Sequence, residues 1–268
     1  MDLEETFETT TPLVGMVHLP PLPGAPQYEG DRKKLRGTAL TDALALTEAG
    51  FDGLLVENYG DVPFYPDEVP AHVVAEMTAA VRELGIGIDC PFGVNVLRND
   101  ATAALSVAAA TGGSFVRVNV HTGVRDTDQG RIAGRAHETL CLRERLDTDV
   151  AILADVAVKH STAADDRPLD VLARETIDRG LADGLVVSGR ETGVPPDPER
   201  IDAVLDGRDD ATRDVPVLLG SGVTAETAPD LLELADGAIV GTALKYEQET
   251  GNQVDPDRAS AVLDAVRE

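Results

Sequence analysis

Apolar, β-branched runs alternate with stretches of helical periodicity from one end of the chain to the other, the pattern of repeated βα units around a parallel sheet. Eight runs read as strands: Leu13 to Val17, Gly53 to Glu57, Phe92 to Val96, Phe115 to Asn119, Val150 to Asp155, Gly184 to Val187, Val215 to Leu219 and Ala238 to Val240. Eight amphipathic stretches follow them in turn: Leu35 to Ala49, Pro70 to Leu84, Thr102 to Thr111, Ala133 to Leu146, Pro168 to Arg179, Pro198 to Leu205, Ala225 to Leu234 and Pro256 to Val266. Gly50, Gly85 and Gly180 stand where helices should end before the next strand. The matched count, at 268 residues and with no linker or low-complexity segment, predicts an α/β fold, the closed (β/α)8 TIM barrel. Residues 1–268 read as a single domain, with 1–11 as an acidic N-terminal extension. An open doubly wound sheet is the alternative. That fold usually carries a glycine fingerprint in its first βα turn, whereas here the first strand runs into His18-Leu19-Pro20-Pro21-Leu22-Pro23-Gly24.

Two late turns break the pattern in a similar way. Leu219-Gly220-Ser221-Gly222-Val223-Thr224 and Ile239-Val240-Gly241-Thr242-Ala243-Leu244-Lys245 each pass from an apolar run through small residues into a helix-like segment. Such turns place free backbone N–H groups at a strand end beside a helix N-terminus, where an anion is favoured. They fall at the seventh and eighth strands, the customary phosphate position of this barrel. Gly220, Ser221, Gly222, Gly241 and Thr242 are therefore candidate phosphate-binding residues. Plain chain-reversing turns are the alternative, and they would have to account for each glycine cluster separately.

Charge narrows the setting. Asp and Glu number 48 against 23 Lys and Arg, a net charge of -25, and only Lys33, Lys34, Lys159 and Lys245 are lysines. The acidity is spread along the chain, which reads as a solvation strategy for high salt and predicts the cytoplasm of an extreme halophile. It argues against a nucleic-acid partner, which needs a basic footprint. No apolar span reaches membrane length and the N-terminus is acidic, so neither a transmembrane segment nor a secretory signal is expected. Cys90 and Cys141 form no metal pattern and are expected to be reduced. A homo-oligomer is compatible with the chain.

A barrel of this kind carries its chemistry at the C-terminal strand ends. His18, Glu57, Asn58, Asp61, Asn95, Arg98, Asp100, Arg117, Asn119, His121, Asp155, Lys159, His160 and Ser188 all fall there. From this set Glu57, Asp155, Lys159, His160 and His18 are the candidate catalytic residues, and Asn58, Asn95, Arg117, Asn119 and Ser188 the candidate substrate-binding residues. Glu57 and Asp155 each end an apolar strand, where an unpartnered charge is costly; a salt bridge from Glu57 to Arg117 is the plain structural alternative. Arg117 and Asn119 share strand parity, so both are expected to face the barrel mouth. Asp100 reads as the start of the alanine-rich helix. Lys159 suits neutralisation of a phosphate or an enolate better than Schiff-base chemistry, although a solvated loop lysine is also compatible. HExxH, the Walker A loop, the G-x-S-x-G elbow and paired CxxC are all missing from the sequence, and no cofactor is indicated apart from Mg2+, which Glu57 and Asp155 could hold with substrate oxygens.

Taken together, Val17-His18-Leu19-Pro20-Pro21-Leu22-Pro23-Gly24, Glu57-Asn58-Tyr59-Gly60-Asp61, Gly93-Val94-Asn95-Val96-Leu97-Arg98-Asn99-Asp100, Arg117-Val118-Asn119, Ala154-Asp155-Val156-Ala157-Val158-Lys159-His160 and Val187-Ser188-Gly189 with Thr192-Gly193 resemble the BtpA/SgcQ family. The resemblance runs from about Leu13 to Lys245. It implies a (β/α)8 barrel related to the ribulose-phosphate-binding group. The family name comes from photosystem I biogenesis in cyanobacteria, and labels applied to its members include phosphoribosylanthranilate isomerase. That enzyme uses a Cys and an Asp on early strands as its acid/base pair; Cys90 lies before the third strand here, with no clear counterpart to the Asp.

Two functions follow as expectations. One is an enzyme acting on a small phosphorylated metabolite, sugar-phosphate-like, by acid/base proton transfer as an isomerase or lyase. The other is a non-catalytic assembly or stability factor that keeps the barrel and uses its surface.

Overall fold

The computed structural model describes residues 1–189 and 191–267. In chain order the elements are α1 (Leu3–Phe7), β1 (Leu13–His18), α2 (Arg32–Ala49), β2 (Gly53–Glu57), α3 (Ala71–Ile86), β3 (Phe92–Asn95), α4 (Ala101–Thr111), β4 (Phe115–Val118), β5 (Val124–Thr127), β6 (Gly130–Ala133), α5 (Ala136–Arg145), β7 (Ala151–Val156), β8 (Ser161–Ala163), α6 (Leu169–Asp178), β9 (Gly184–Val187), α7 (Pro198–Asp209), β10 (Val217–Leu219), α8 (Ala228–Leu232), β11 (Gly237–Val240) and α9 (Pro256–Arg267). Eight parallel strands close into a barrel in the order β1-β2-β3-β4-β7-β9-β10-β11. The strands β6, β5 and β8 form a separate antiparallel sheet.

One periodicity explains both the packing of the barrel and the placement of polar groups. Alternate residues of a strand point inward. The interior is filled by Val14 and Met16 of β1, Leu55 of β2, Phe115 of β4, Ala151 and Leu153 of β7, Val186 of β9, Leu218 of β10 and Ile239 of β11. One inward step further along the same strands come His18, Glu57, Arg117, Asp155, Ser188, Gly220 and Gly241. The register aligns His18 with Glu57 and Glu57 with Asn95, so these form one polar layer above an apolar one.

Several boundaries differ from the sequence reading. The stretch 1–11 carries the helix α1, capped by the Asp2 carboxylate, and its Phe7 packs edge-on against Phe115 at 5.7 Å inside the barrel. The fifth helix starts at Ala136 and not Ala133, because Asp128-Gln129-Gly130 turns the chain into the β5–β6 hairpin, with Gly130 at φ +102°. Helix α8 is shorter than Ala225 to Leu234: the Thr227 hydroxyl donates to the Gly222 carbonyl and accepts from the Thr224 N–H, closing a turn where a helix would begin. The strand expected from Val215 begins at Val217, after Pro216, which has no N–H for the ladder. Gly85 lies inside α3, which ends at Gly87, whereas Gly50 caps α2 at φ +102° as expected.

Asp100 caps α4, accepting from the Ala103 N–H at 2.9 Å. Lys245, fully buried, pairs with the equally enclosed Asp42 of α2 at 3.1 Å. Burial lowers its pKa, against the opposing pull of Asp42. Lys245 is therefore a structural cation that ties the end of the last strand unit to the first helix.

Candidate functional site

A cavity of about 490 Å³ opens at the C-terminal ends of the barrel strands. His18, Glu57, Arg117, Asn119, Lys159, His160, Gly220, Ser221, Gly222, Gly241 and Thr242, all named from the sequence, line it. Asp155, Asn58, Asn95 and Ser188 lie outside its wall.

Those four have definable work. Asp155 accepts two bonds from Arg117, Nε to Oδ2 at 2.9 Å and Nη2 to Oδ1 at 2.8 Å, with further bonds from Asn119 Nδ2 at 3.1 Å and Ser188 Oγ at 2.9 Å. Its lone pairs are committed, so Asp155 anchors Arg117 and is not free to act as a base or to join Glu57 around Mg2+. Among the described residues no group of three or more His, Cys, Asp or Glu could hold a metal ion. Asn95 donates to Glu57 Oε2 at 2.7 Å and so orients that carboxylate. Asn58 accepts from the Leu97 N–H at 2.7 Å and donates to Asp61, stitching the loops after β2 and β3. The salt bridge considered between Glu57 and Arg117 is replaced by Arg117 with Asp155.

Glu57 keeps its other oxygen, Oε1, 3.9 Å from His18 Nε2. Burial first, then the positive charges of Lys245 and Lys159, hold the His18 pKa well below its ordinary value, so its imidazole is neutral at physiological pH. Among the described residues neither His18 Nδ1 nor Asn119 Oδ1, a buried acceptor on a cavity-lining residue, has a hydrogen-bond partner. Across the cavity, Lys159 projects from the loop after β7. Burial, reinforced by Arg117, lowers its pKa to about 8. Its ammonium has no ion-pair or hydrogen-bond partner among the described residues. His160 bonds Thr192 Oγ1 at 2.9 Å, and burial with the charges of Lys159 and Arg98 lowers its pKa too.

The glycine turns differ from each other in cause. A Cβ at Gly220 would collide with Val186 and crowd the Arg117–Ser188 cluster. Gly222 takes φ +72°, and its Cβ would strike the Pro195 backbone. Gly241 has room: a Cβ there would sit 3.4 Å from Met16 Cγ and 3.5 Å from His18 Cε1. The Ser221 hydroxyl is used internally, accepting from the Gly189 N–H and donating to the Val194 carbonyl. The backbone N–H groups of Ser221, Gly222 and Val223 have no acceptor among the described residues. Thr242 and Ala243 open a 3-10 turn, so their N–H groups have none within it. Neither turn leads directly into a long helix; the donors are loop amides, and the expected helix dipole does not act here.

The model of the BtpA family matches residues 9–268. The chain belongs to the BtpA family. It is 43% identical to the photosystem I biogenesis protein BtpA of Synechocystis, over all of this chain and 92% of that one. It is 44% identical to an uncharacterised protein of Thermococcus kodakarensis, over 96% of this chain and 95% of the relative. Among solved structures it resembles tryptophan synthase of Mycobacterium tuberculosis, with a TM-score of 0.61 at 19% identity over 97% of this chain and 93% of that one. It also resembles phosphoribosyl anthranilate isomerase of Thermus thermophilus, with a TM-score of 0.58 at 12% identity over 96% and 98% of the two chains. At such identities the structural likeness carries the fold. No helix among the described residues is long and apolar enough to cross a membrane.

In this BtpA-family barrel the cavity also uses residues that the sequence reading passed over. Tyr59, tilted against His18 at 5.0 Å, and Phe64 form an apolar wall beside Val62 and Leu97. Asp128 reaches the rim from the β5–β6 hairpin. Its signal was the Asp-Gln-Gly turn between two alternating runs. Arg98, noted at a strand end but given no role, is buried and lines the cavity.

Proposed function

We propose that the chain binds a small phosphorylated metabolite, sugar-phosphate-like, and moves a proton on it as an isomerase or lyase. The observation that carries this reading is the sharing of one cavity by the Glu57 carboxylate, the unpartnered Lys159 ammonium and the free loop amides after β10 and β11. The amides of Ser221 to Val223, with Thr242 and Ala243, bind the phosphate. Glu57, steadied by Asn95, takes a carbon-bound proton, and Lys159, with neutral His160 beside it, stabilises the oxyanion that develops. Neutral His18 can relay a proton to or from Glu57, and Asn119 Oδ1 accepts from a substrate hydroxyl. Arg117 holds the floor of the site in place through Asp155 and Ser188. The acid excess of the whole chain favours work in concentrated salt.

A second reading rests on the name of the Synechocystis relative: an assembly factor for a protein complex, of the photosystem I biogenesis kind, that uses the barrel as a scaffold. A thermal-shift screen separates the two. Stabilisation by phosphosugars and not by their dephosphorylated analogues supports the enzyme, and indifference to every phosphorylated ligand supports the scaffold.

A further inference from the structure

Among the described residues two cations face the cavity without a carboxylate ion-pair partner: Arg98, at the strand ends across from the phosphate loops, and Lys159. Around the closed ring, β10 and β11 are the seventh and eighth strands, so β3 and β4 are diametrically across from them. Arg98 follows β3, and its Nη2 donates to the Lys159 carbonyl at 2.8 Å, a bond that reaches over the end of β4 to the loop after β7. Arg98 is only 5% exposed, and that is its one side-chain hydrogen bond to the protein among the described residues. Its pKa is pulled down by burial. Arg98 and Lys159 repel each other, and burying both cations is costly unless anions offset them.

We propose that the substrate carries two anionic groups, with its phosphate at the loops after β10 and β11 and a carboxylate at Arg98 and Lys159. The inference rests on the phosphate reading above and adds the class of the substrate's far end. Local charge selects a carboxylate over a second phosphate. Among the described residues the buried set holds three cations, Arg98, Arg117 and Lys159, and two carboxylates, Glu57 and Asp155, leaving one positive charge. Asp128 also approaches Arg98, but it is exposed on the hairpin, where water screens it. Eight strands about 4.8 Å apart at a tilt of about 36° make a barrel roughly 15 Å across, and side chains reach inward from both walls, so the two anions are separated by a short carbon chain. Glu57, on β2 between the two ends of the diameter, then faces the carbons that link them.

The test uses matched pairs that differ only in carboxylate against hydroxymethyl: 3-phosphoglycerate with glycerol 3-phosphate, 4-phosphoerythronate with erythritol 4-phosphate, and 5-phosphoribonate with ribitol 5-phosphate. Calorimetry on the full chain should show one acid binding roughly 10- to 100-fold more tightly than its alditol partner. Arg98→Met should erase that preference while leaving the alditol phosphate affinity within about twofold. Lys159→Met, which leaves the Arg98 guanidinium in place, should reduce the preference independently if the Arg98 variant does not fold. Alditol phosphates that bind as well as the acids at every length overturn this inference and leave phosphate binding intact. Tighter binding of the matching bisphosphates overturns the carboxylate assignment. Failure of orthophosphate and all six probes to bind overturns both readings.

Discussion

Arg117 of β4 and Asp155 of β7 face each other across neighbouring strands and share two N–H···O bonds of 2.8 and 2.9 Å, with the carboxylate side chain fully enclosed. Arg117 lines the cavity, and Asp155 holds it there from outside the wall. Replacing Asp155 with alanine strands a buried guanidinium, which costs roughly 3–5 kcal/mol, or about 10 °C in the thermal midpoint. The double variant Arg117→Met with Asp155→Leu should recover most of that loss. Calorimetric melts check it; an Asp155→Ala midpoint equal to that of the parent would contradict the anchoring role.

Glu57 should separate chemistry from binding. With a ligand that the chain turns over or exchanges, Glu57→Gln should slow solvent-deuterium incorporation at the ligand carbon by roughly a hundred- to ten-thousand-fold. Ligand affinity should stay within a few-fold, because Asn95 can still bond the amide oxygen. NMR exchange measurements decide the point, and an unchanged exchange rate removes Glu57 as the base.

How much of this was legible beforehand depends on the range of each interaction. Strand positions and the inward parity of Glu57, Arg117 and Asp155 follow from local period, and the eight barrel strands were readable to within one or two residues, whereas β5, β6 and β8 of the small antiparallel sheet were not read at all. Which carboxylate met Arg117 did not follow: Glu57 and Asp155 end similar apolar runs, and only the ring order, with β4 beside β7, gives Arg117 to Asp155. The glycines were likewise ambiguous. Gly222 is required by Pro195, a neighbour 27 residues away in sequence, which no local pattern reveals.

Lys159 should report ligand charge as proton uptake. With a pKa of about 8 it is half protonated at pH 8, and an anion beside it raises its proton affinity. Binding of a phosphorylated ligand at pH 8 should take up as much as about half a proton, and at pH 6 almost none. Titration calorimetry in two buffers of different ionisation enthalpy measures this, and Lys159→Met should abolish it. In the free protein the native chain binds fewer protons at Lys159 than the unfolded chain between about pH 8 and the ordinary lysine value, so this residue's contribution to stability rises with pH across that window. Equal uptake in parent and variant would remove Lys159 from the anion's surroundings.

Gly241 and Gly222 should behave differently when substituted. In Gly241→Val the Cβ meets Met16 and His18 at van der Waals distance, without the backbone collision found at Gly222, and the variant should weaken phosphate binding about tenfold or more while losing less of its melting midpoint than Gly222→Ala. Gly222→Ala meets the Pro195 backbone at a positive φ and should lower the melting midpoint. Parallel melts and phosphate titrations test both; intact affinity in folded Gly241→Val would take the phosphate away from that loop.

Salt should stabilise the fold. With 48 acidic against 23 basic residues, self-repulsion is strong at low ionic strength and screened in molar KCl. Unfolding midpoints should rise steadily with KCl, and a midpoint independent of salt would count against adaptation to brine.

The buried Lys245–Asp42 pair joins residues 203 positions apart, close to where β11 completes the ring against β1. It acts as a rivet across the seam between the first and the eighth strands of the ring. During synthesis, therefore, the loop that supplies Thr242 and Ala243 has no fixed place until the final βα unit has left the ribosome and been fastened to α2. A ribosome-bound chain that lacks this unit can have Glu57, Arg117 and Lys159 all in existence and still present no closed cavity to a ligand. The closed cavity is thereby a property of the joined ring and of no smaller part of it.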